Sequence, residues 1–383
     1  MNSVPARPSA PDTDGGLAQL GERLAGSQKV RGSNPLSSTF FAAGPAGCLL
    51  GPAAVGACHM GTLDQFDGEM AWLDGRFLPR DEFAVPVGDT GFVMGVTVTE
   101  QLRTFSGRLF LPEPHARRLA ESLAAVGIAA GRSSDEIMTA AEQLADHNHR
   151  LLVTQQESPP TDLGLVVFVT AGDQASQHGG RAGPPRIGIH SFPLAFGLWS
   201  DAYAKGVALR SVSVRQVPGE CWPIAAKVRS RLHYFLADRE AAAAEPGSRA
   251  VLAHHDGRIS ETSTANLAVV RGGEVATPPA GDALPGVSLG FARTLAARLG
   301  IPWRERSLTA ADLAQADEIL LTSTPNCLLP ATRFDGLPVC DGRPGPVARR
   351  LLAAWSEAVG IDIAAQARHH ALVYPHTTNV STP

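Results

Sequence analysis

From residue 70 onward, hydrophobic and polar positions follow a regular pattern. Residues 70–78 read as a short hairpin that turns at Asp74-Gly75. Two further strand-like runs, 98–105 and 108–111, are joined by Ser106-Gly107, a second hairpin signal. Pro112 and Pro114 can open the first turn of a helix, along which Leu119, Leu123 and Val126 recur at helical spacing. Ser133 followed by Glu136 is a capping box and starts a helix expected to run through 145. Residues 163–170 form a buried-type strand and 187–192 another, around a turn-rich loop at 171–185 expected to be mobile.

A linker is expected at 193–201, after which strands and helices alternate. The strands fall at 206–214, 250–253, 267–270 and 318–322, and the helices at 228–244, 287–299 and 347–359. Hairpins and helices first, then a mixed strand-and-helix half, predict an α+β domain over 70–192 and an α/β domain over 202–362. Apolar periodicity is lost beyond 363, so 363–383 reads as a disordered tail. Residues 1–69 read as an extension outside the fold. They lack a sustained apolar period, and the stretch from Leu17 to Leu36 resembles translated transfer-RNA sequence. The expected start is therefore Met60 or Met70. An export signal ending in a lipidated Cys58 ranks second, because prolines and glycines interrupt residues 39–58.

Composition narrows the partners. The 383 residues are 44% hydrophobic and 18% charged with a net charge of −4, which is ordinary for a globular chain with a real core. No basic cluster interleaves with aromatics, so no nucleic-acid partner is expected. No segment reaches the roughly 18 clean apolar residues of a spanning helix, so no membrane is expected either. Five cysteines without a CxxC argue for a reducing compartment, the cytoplasm, and against a disulfide framework or zinc site. His254-His255-Asp256-Gly257 reads as a hairpin turn before it reads as a metal site.

The first chemical signal is compositional. Of 33 basic residues only three are lysines: Lys29, Lys205 and Lys227. Arginine stays protonated, whereas a desolvated lysine amine can shed its proton and attack a carbonyl. Lys227 alone follows an apolar approach, Pro223-Ile224-Ala225-Ala226. Downstream, Glu261 comes just after the Asp256-Gly257 turn. Gly286-Val287-Ser288 opens a helix, where free backbone N–H groups favour an anion. Ser323 and Thr324 end a strand with hydroxyl donors, and Arg118 can grip a phosphate with two hydrogen bonds.

Seven motifs occur in one order along the chain: Asp89-x-Gly91-Phe92, the Glu100 and Arg103 pair, His115-x-x-Arg118-Leu119, Lys227, Glu261-x-x-x-x-Asn266, Leu284-Pro285-Gly286-Val287-Ser288, and Leu321-Thr322-Ser323-Thr324. Together they resemble the class IV, or fold type IV, pyridoxal-phosphate enzymes, from about residue 70 to 359. That group includes branched-chain aminotransferases, D-amino-acid transaminases and 4-amino-4-deoxychorismate lyases. The resemblance implies a two-domain, D-amino-acid aminotransferase-like fold and a homodimer. It implies pyridoxal 5'-phosphate on Lys227, with Glu261 facing the pyridine nitrogen. Arg118, Gly286, Val287, Ser288, Ser323 and Thr324 would hold the phosphate. Thr99, Arg103 and His178 would face the substrate.

Departures from the pattern bear on the substrate. Thr99-Glu100-Gln101 replaces the Phe-Glu-Gly of branched-chain enzymes, and Leu232 replaces their tyrosine. Arg231-Leu232 resembles the lyases. Ser176-Gln177-His178 keeps the histidine of the Arg-x-His loop of D-amino-acid transaminases but lacks its arginine; Arg103, Arg181 or Arg229 could replace it. The expected activity is transamination between an amino acid and a 2-keto acid. The alternatives are pyruvate elimination, as in the lyases, and a relative that binds the cofactor without turnover.

Overall fold

The computed structural model describes residues 63, 66–155 and 161–373. The expected extension lies almost wholly outside the described residues, as do the candidate start at Met60 and the tail beyond 373. The first elements are β1 (Met70–Leu73), β2 (Arg76–Pro79), α1 (Thr90–Val93), β3 (Thr97–Phe105), β4 (Arg108–Leu109), α2 (Pro112–Val126), α3 (Ser134–Gln155), β5 (Leu163–Thr170) and β6 (Arg186–Pro193). Then follow α4 (Ala202–Lys205), β7 (Val207–Arg215), α5 (Leu232–Ala244), β8 (Arg249–Ala253), β9 (Ile259–Thr262), β10 (Asn266–Arg271), β11 (Glu274–Thr277) and α6 (Val287–Arg298). The last are β12 (Trp303–Glu305), α7 (Ala310–Ala314), β13 (Glu318–Ser323), β14 (Cys327–Phe334), β15 (Leu337–Pro338), α8 (Pro346–Val359) and α9 (Ile363–Val373).

Among the described residues these strands build two sheets. One runs β2-β1-β6-β5-β3-β4; the other runs β12-β11-β10-β13-β14-β7-β8-β9, with β15 beside β14. In the first, both expected hairpins form at turns where Asp74-Gly75 and Ser106-Gly107 have positive φ, which matches strand twist across a two-residue turn. Helices α2 and α3 cover this sheet, so that Leu119, Leu123, Ile137 and Leu144 pack on Leu102, Leu165, Val167 and Ile189. The second sheet is covered by α6 and α8, with Leu295 and Trp355 packed among Leu320, Leu321 and Leu329. Buried Glu318 caps α8 by accepting from the backbone N–H of Val347 and Ala348, each at 2.8 Å. Gly345 precedes that helix because a Cβ there would collide with the Glu318 side chain.

Four expectations are corrected. The Ser133 capping box forms, but α3 continues ten residues past 145, to Gln155. The linker at 193–201 is a packed segment, in which Phe196 and Trp199 are buried in the second core. The helix expected from 228 begins at Leu232. The backbone of 227–229 is already committed: Lys227 O accepts from Thr99 N and Arg229 N donates to Thr97 O, both at 2.9 Å. The tail is helical through 373, with Ile363 and Ala367 fully buried. One turn's worth of small apolar residues anchors it, too little to register as periodicity.

Candidate active site

A cavity of about 220 Å³ opens where the start of β3, the segment before α5, the β9–β10 turn, the start of α6 and the end of β13 converge. Lys227 is half-buried in its wall. The extended 227–229 segment fixes it: a bridge pairs Val228 with Val98, and Lys227 N donates to Ser122 Oγ of α2 at 3.1 Å. Burial and then the charge of Arg118 lower the Lys227 amine to about 8, against the opposite pull of Glu100. A usable fraction of neutral amine therefore exists near neutral pH.

Opposite the lysine sits Glu261, on the fully buried β9. Its Oε1 accepts from the Tyr234 hydroxyl at 2.7 Å and its Oε2 from Asn266 Nδ2 at 3.0 Å. Burial nevertheless pushes the carboxyl up, outweighing the opposite pull of the Tyr234 hydrogen bond and of the Lys227 charge. Burial first, and then Glu261, pushes the Tyr234 phenol up, so it stays a donor. A carboxylate so placed is suited to a protonated ring nitrogen. The sequence reading missed Tyr234; the signal for it was a tyrosine entering α5 seven residues past the lysine.

The third feature is an anion cradle. Helix α6 starts at Gly286 without a side-chain cap, and a Cβ on Gly286 would collide with Asn266 Oδ1. Val287 and Ser288 line the cavity beside it. Thr322 Oγ1, also in the lining, is buried without a hydrogen-bond partner, a donor still to be satisfied. Ser323 Oγ donates to Asn326 Oδ1 at 2.8 Å, and Thr324 also lines the cavity. Arg118 is locked by Glu100, donating from Nε at 2.8 Å and Nη2 at 2.7 Å, while Nη1 donates to Pro285 O at 3.0 Å. Its fork therefore spans from α2 to the cradle loop. Burial would raise the Glu100 carboxyl, but the charge and hydrogen bonds of Arg118, helped by His115 at 2.7 Å, hold it at about 2.

Two expected substrate residues are not brought to this cavity. Arg103 is fully buried elsewhere: Nη1 donates to Pro325 O at 2.9 Å, Nη2 to Gln366 Oε1 at 3.2 Å, and the guanidinium lies 3.8 Å from the Phe105 ring centroid. Its fork is spent on protein partners, and the residue is absent from the cavity lining. His178 is exposed on the 171–185 loop, its Nδ1 3.2 Å from Gln174 O, and is absent from the lining. Thr99 does line the cavity, donating from Oγ1 to Val167 O at 2.8 Å. Gln101, Gln216, Trp222, Arg231 and His233 also face it, and none was assigned a site role from sequence.

Residues 97–334, which carry every one of these cavity residues, match the amino-transferase class IV family. The chain belongs to that family. This aminotransferase is 27% identical over 290 residues to the D-alanine aminotransferase of Bacillus licheniformis, covering 75% of this chain and 96% of the relative. It is also 27% identical to branched-chain-amino-acid aminotransferase-like protein 1 of Arabidopsis thaliana, over 75% of this chain and 50% of that one. In structure it resembles the branched-chain amino acid aminotransferase of Escherichia coli, with a TM-score of 0.67 and 25% identity over 76% of this chain and 94% of the other. The fold type IV architecture expected from the motifs is the one observed. Class IV aminotransferases depend on pyridoxal phosphate. Among the described residues no cluster of His, Cys, Asp or Glu could hold a metal ion, and no helix is long and apolar enough to cross a membrane.

Proposed function

We propose that this aminotransferase exchanges the amino group of an amino acid with a 2-keto acid at Lys227, as a homodimer in the cytoplasm. The observation that carries this reading is one cavity holding a lysine lowered to about 8, a carboxylate pushed up by burial, and an anion cradle. These residues fit pyridoxal 5'-phosphate. Lys227 Nζ would bear its aldehyde carbon, and Glu261 its ring nitrogen. Val287, Ser288, Thr322 and Arg118 would hold its phosphate, with Ser323 and Thr324 beside them in the lining. Once bound, the cofactor supplies an electron sink for the charge left when the substrate α-carbon loses its proton.

The chain's own groups do the rest. Glu261 keeps a proton on the ring nitrogen, and Tyr234 and Asn266 hold its carboxylate in place for that. Lys227 Nζ, free once substrate has replaced it, takes the proton from the substrate α-carbon and returns it on the other side of the transfer. Glu100 acts through Arg118, fixing the fork that reaches the cradle loop. The homodimer is supported by exposed Phe92, Met94, Leu232 and Phe235, an apolar set to be covered. In such an assembly His178, exposed in one chain, is free to serve the neighbouring site. Exposed Cys221 and Cys340, both free thiols, support a reducing compartment.

Borohydride reduction of the cofactor-loaded protein followed by peptide mapping is expected to label Lys227, and a label elsewhere or none would sink the reading. Turnover should require a 2-keto acid acceptor. Pyruvate release without one would instead favour the lyase chemistry to which Arg231-Leu232 is similar.

A further inference from the structure

We infer that Gln216 is a positioning residue of this aminotransferase: acting through Tyr234, it aims a hydroxyl proton at Glu261 and keeps that carboxylate ionised for the cofactor's ring nitrogen. The inference rests on the transaminase reading above. Gln216 directly follows β7, is buried, and is pinned by its backbone N–H, which donates to Ala253 O at 3.0 Å. Two neighbours fix which way its side-chain amide faces. Val217 N can only donate, so the atom 2.9 Å from it is Oε1. Ser260 Oγ spends its proton on Asp282 O at 2.6 Å, so it accepts from Nε2 at 3.0 Å. His233 completes the set. Desolvation and then the charge of Arg231 bring it to about 4, and the neutral ring donates from Nε2 to Gln216 Oε1 at 3.0 Å.

The other Nε2 proton goes to the Tyr234 hydroxyl oxygen at 3.2 Å. Tyr234 therefore accepts from Gln216 and gives its own proton to Glu261 Oε1 at 2.7 Å. An amide cannot exchange its donor and acceptor ends as a hydroxyl or a carboxyl can, so the chain runs in one direction. That direction matters to Glu261. Burial pushes its carboxyl up, and the Tyr234 hydrogen bond is the largest of the pulls opposing burial, ahead of the Lys227 charge, the Leu284 backbone and the Arg231 charge. Hydrogen bonds in series inside a protein strengthen one another by roughly 10–30% per bond. Gln216 thus fixes and strengthens the contact on which the charge of Glu261 depends.

The test is NMR at neutral pH of enzyme loaded with pyridoxal 5'-phosphate isotopically labelled at the ring nitrogen. The wild-type signal is expected at the position of a protonated pyridine. Tyr234→Phe should move it toward the unprotonated position, and Gln216→Met should move it the same way by less. The double variant should match Tyr234→Phe alone, which separates a residue acting through Tyr234 from one that only packs the fold. An unprotonated wild-type nitrogen, an unmoved signal in Gln216→Met, or a double variant shifted well beyond Tyr234→Phe would overturn the inference. Should Gln216→Met not fold, Gln216→Glu decides. It still accepts from Val217 and His233 but cannot donate to Tyr234, so an unmoved signal there overturns the inference equally. Borohydride mapping separates the two readings. A label on Lys227 with an unmoved nitrogen signal removes only the role of Gln216, whereas no label removes the transaminase reading as well.

Discussion

At Lys227, burial and a neighbouring arginine bring the amine to about 8, so its neutral fraction grows as pH rises through that value. Cofactor attachment should speed up over the same range and level off above it, as rapid-mixing absorbance would show. Lys227→Ala should retain weak cofactor binding but lose turnover by roughly 10⁴-fold, checked by steady-state kinetics. Glu261→Gln keeps an acceptor oxygen for only one of the donors Tyr234 and Asn266, and cannot hold a proton on the ring nitrogen. It should lower kcat on the order of 10²-fold or more with a smaller change in KM. Sequence could single these two out because chemistry restricts the residue type proposed for each role, a lysine to attach and a carboxylate to hold that proton, and both line the cavity. Sequence could not place Arg103, because arginine serves packing and recognition equally well, and its type says nothing about where the fork points. Tyr234 and Thr322 escaped notice because each acts through a neighbour that only folding supplies.

At the scale of elements, hairpins and capped helices were legible because their signals are local: Asp74-Gly75, Ser106-Gly107 and Ser133 with Glu136. The 227–231 segment was not. Its apolar and basic residues fit a helix, but hydrogen bonds to β3, more than a hundred residues earlier in the chain, override that preference. Strand β14 was missed for a similar reason, since Pro330 sits inside it and its pairing with β13 and β7 is tertiary. Helix α9 has the clearest test. It brings Gln366 to Arg103 and to Asp162, stacks His370 on Phe196 with centroids 5.2 Å apart, and buries Ile363. Ending the chain at 362 should therefore destabilise it by about 2–5 kcal/mol, from lost apolar burial and an unsatisfied buried arginine donor. Urea unfolding measures this, and an unchanged midpoint would refute it.

For the molecule as a whole, acid should act through Glu100. Its folded pKa of about 2 lies below the ordinary carboxylate value of 4.5, so its stabilising contribution is complete above about 4.5 and fades as pH falls toward 2. Melting temperature should drop across that window, and Glu100→Gln should flatten this part of the profile while lowering stability at neutral pH. A chain begun at Met60 should match the 383-residue chain in melting temperature and turnover, since the family match starts at residue 97. The two-sheet plan was readable from element order, but the meeting point of the sheets was not, because it depends on which strand edges pair.

The binding cavity joins parts that are distant in sequence: Lys227 hangs on the edge of the first sheet, while Thr322 and the start of α6 belong to the second. Whatever fills the gap becomes a rivet between two halves of one chain. Loading at a hundred times Kd should add about 2.7 kcal/mol to folding stability. Vitamin B6 supply would then set how long each copy survives proteolysis as well as how fast it works.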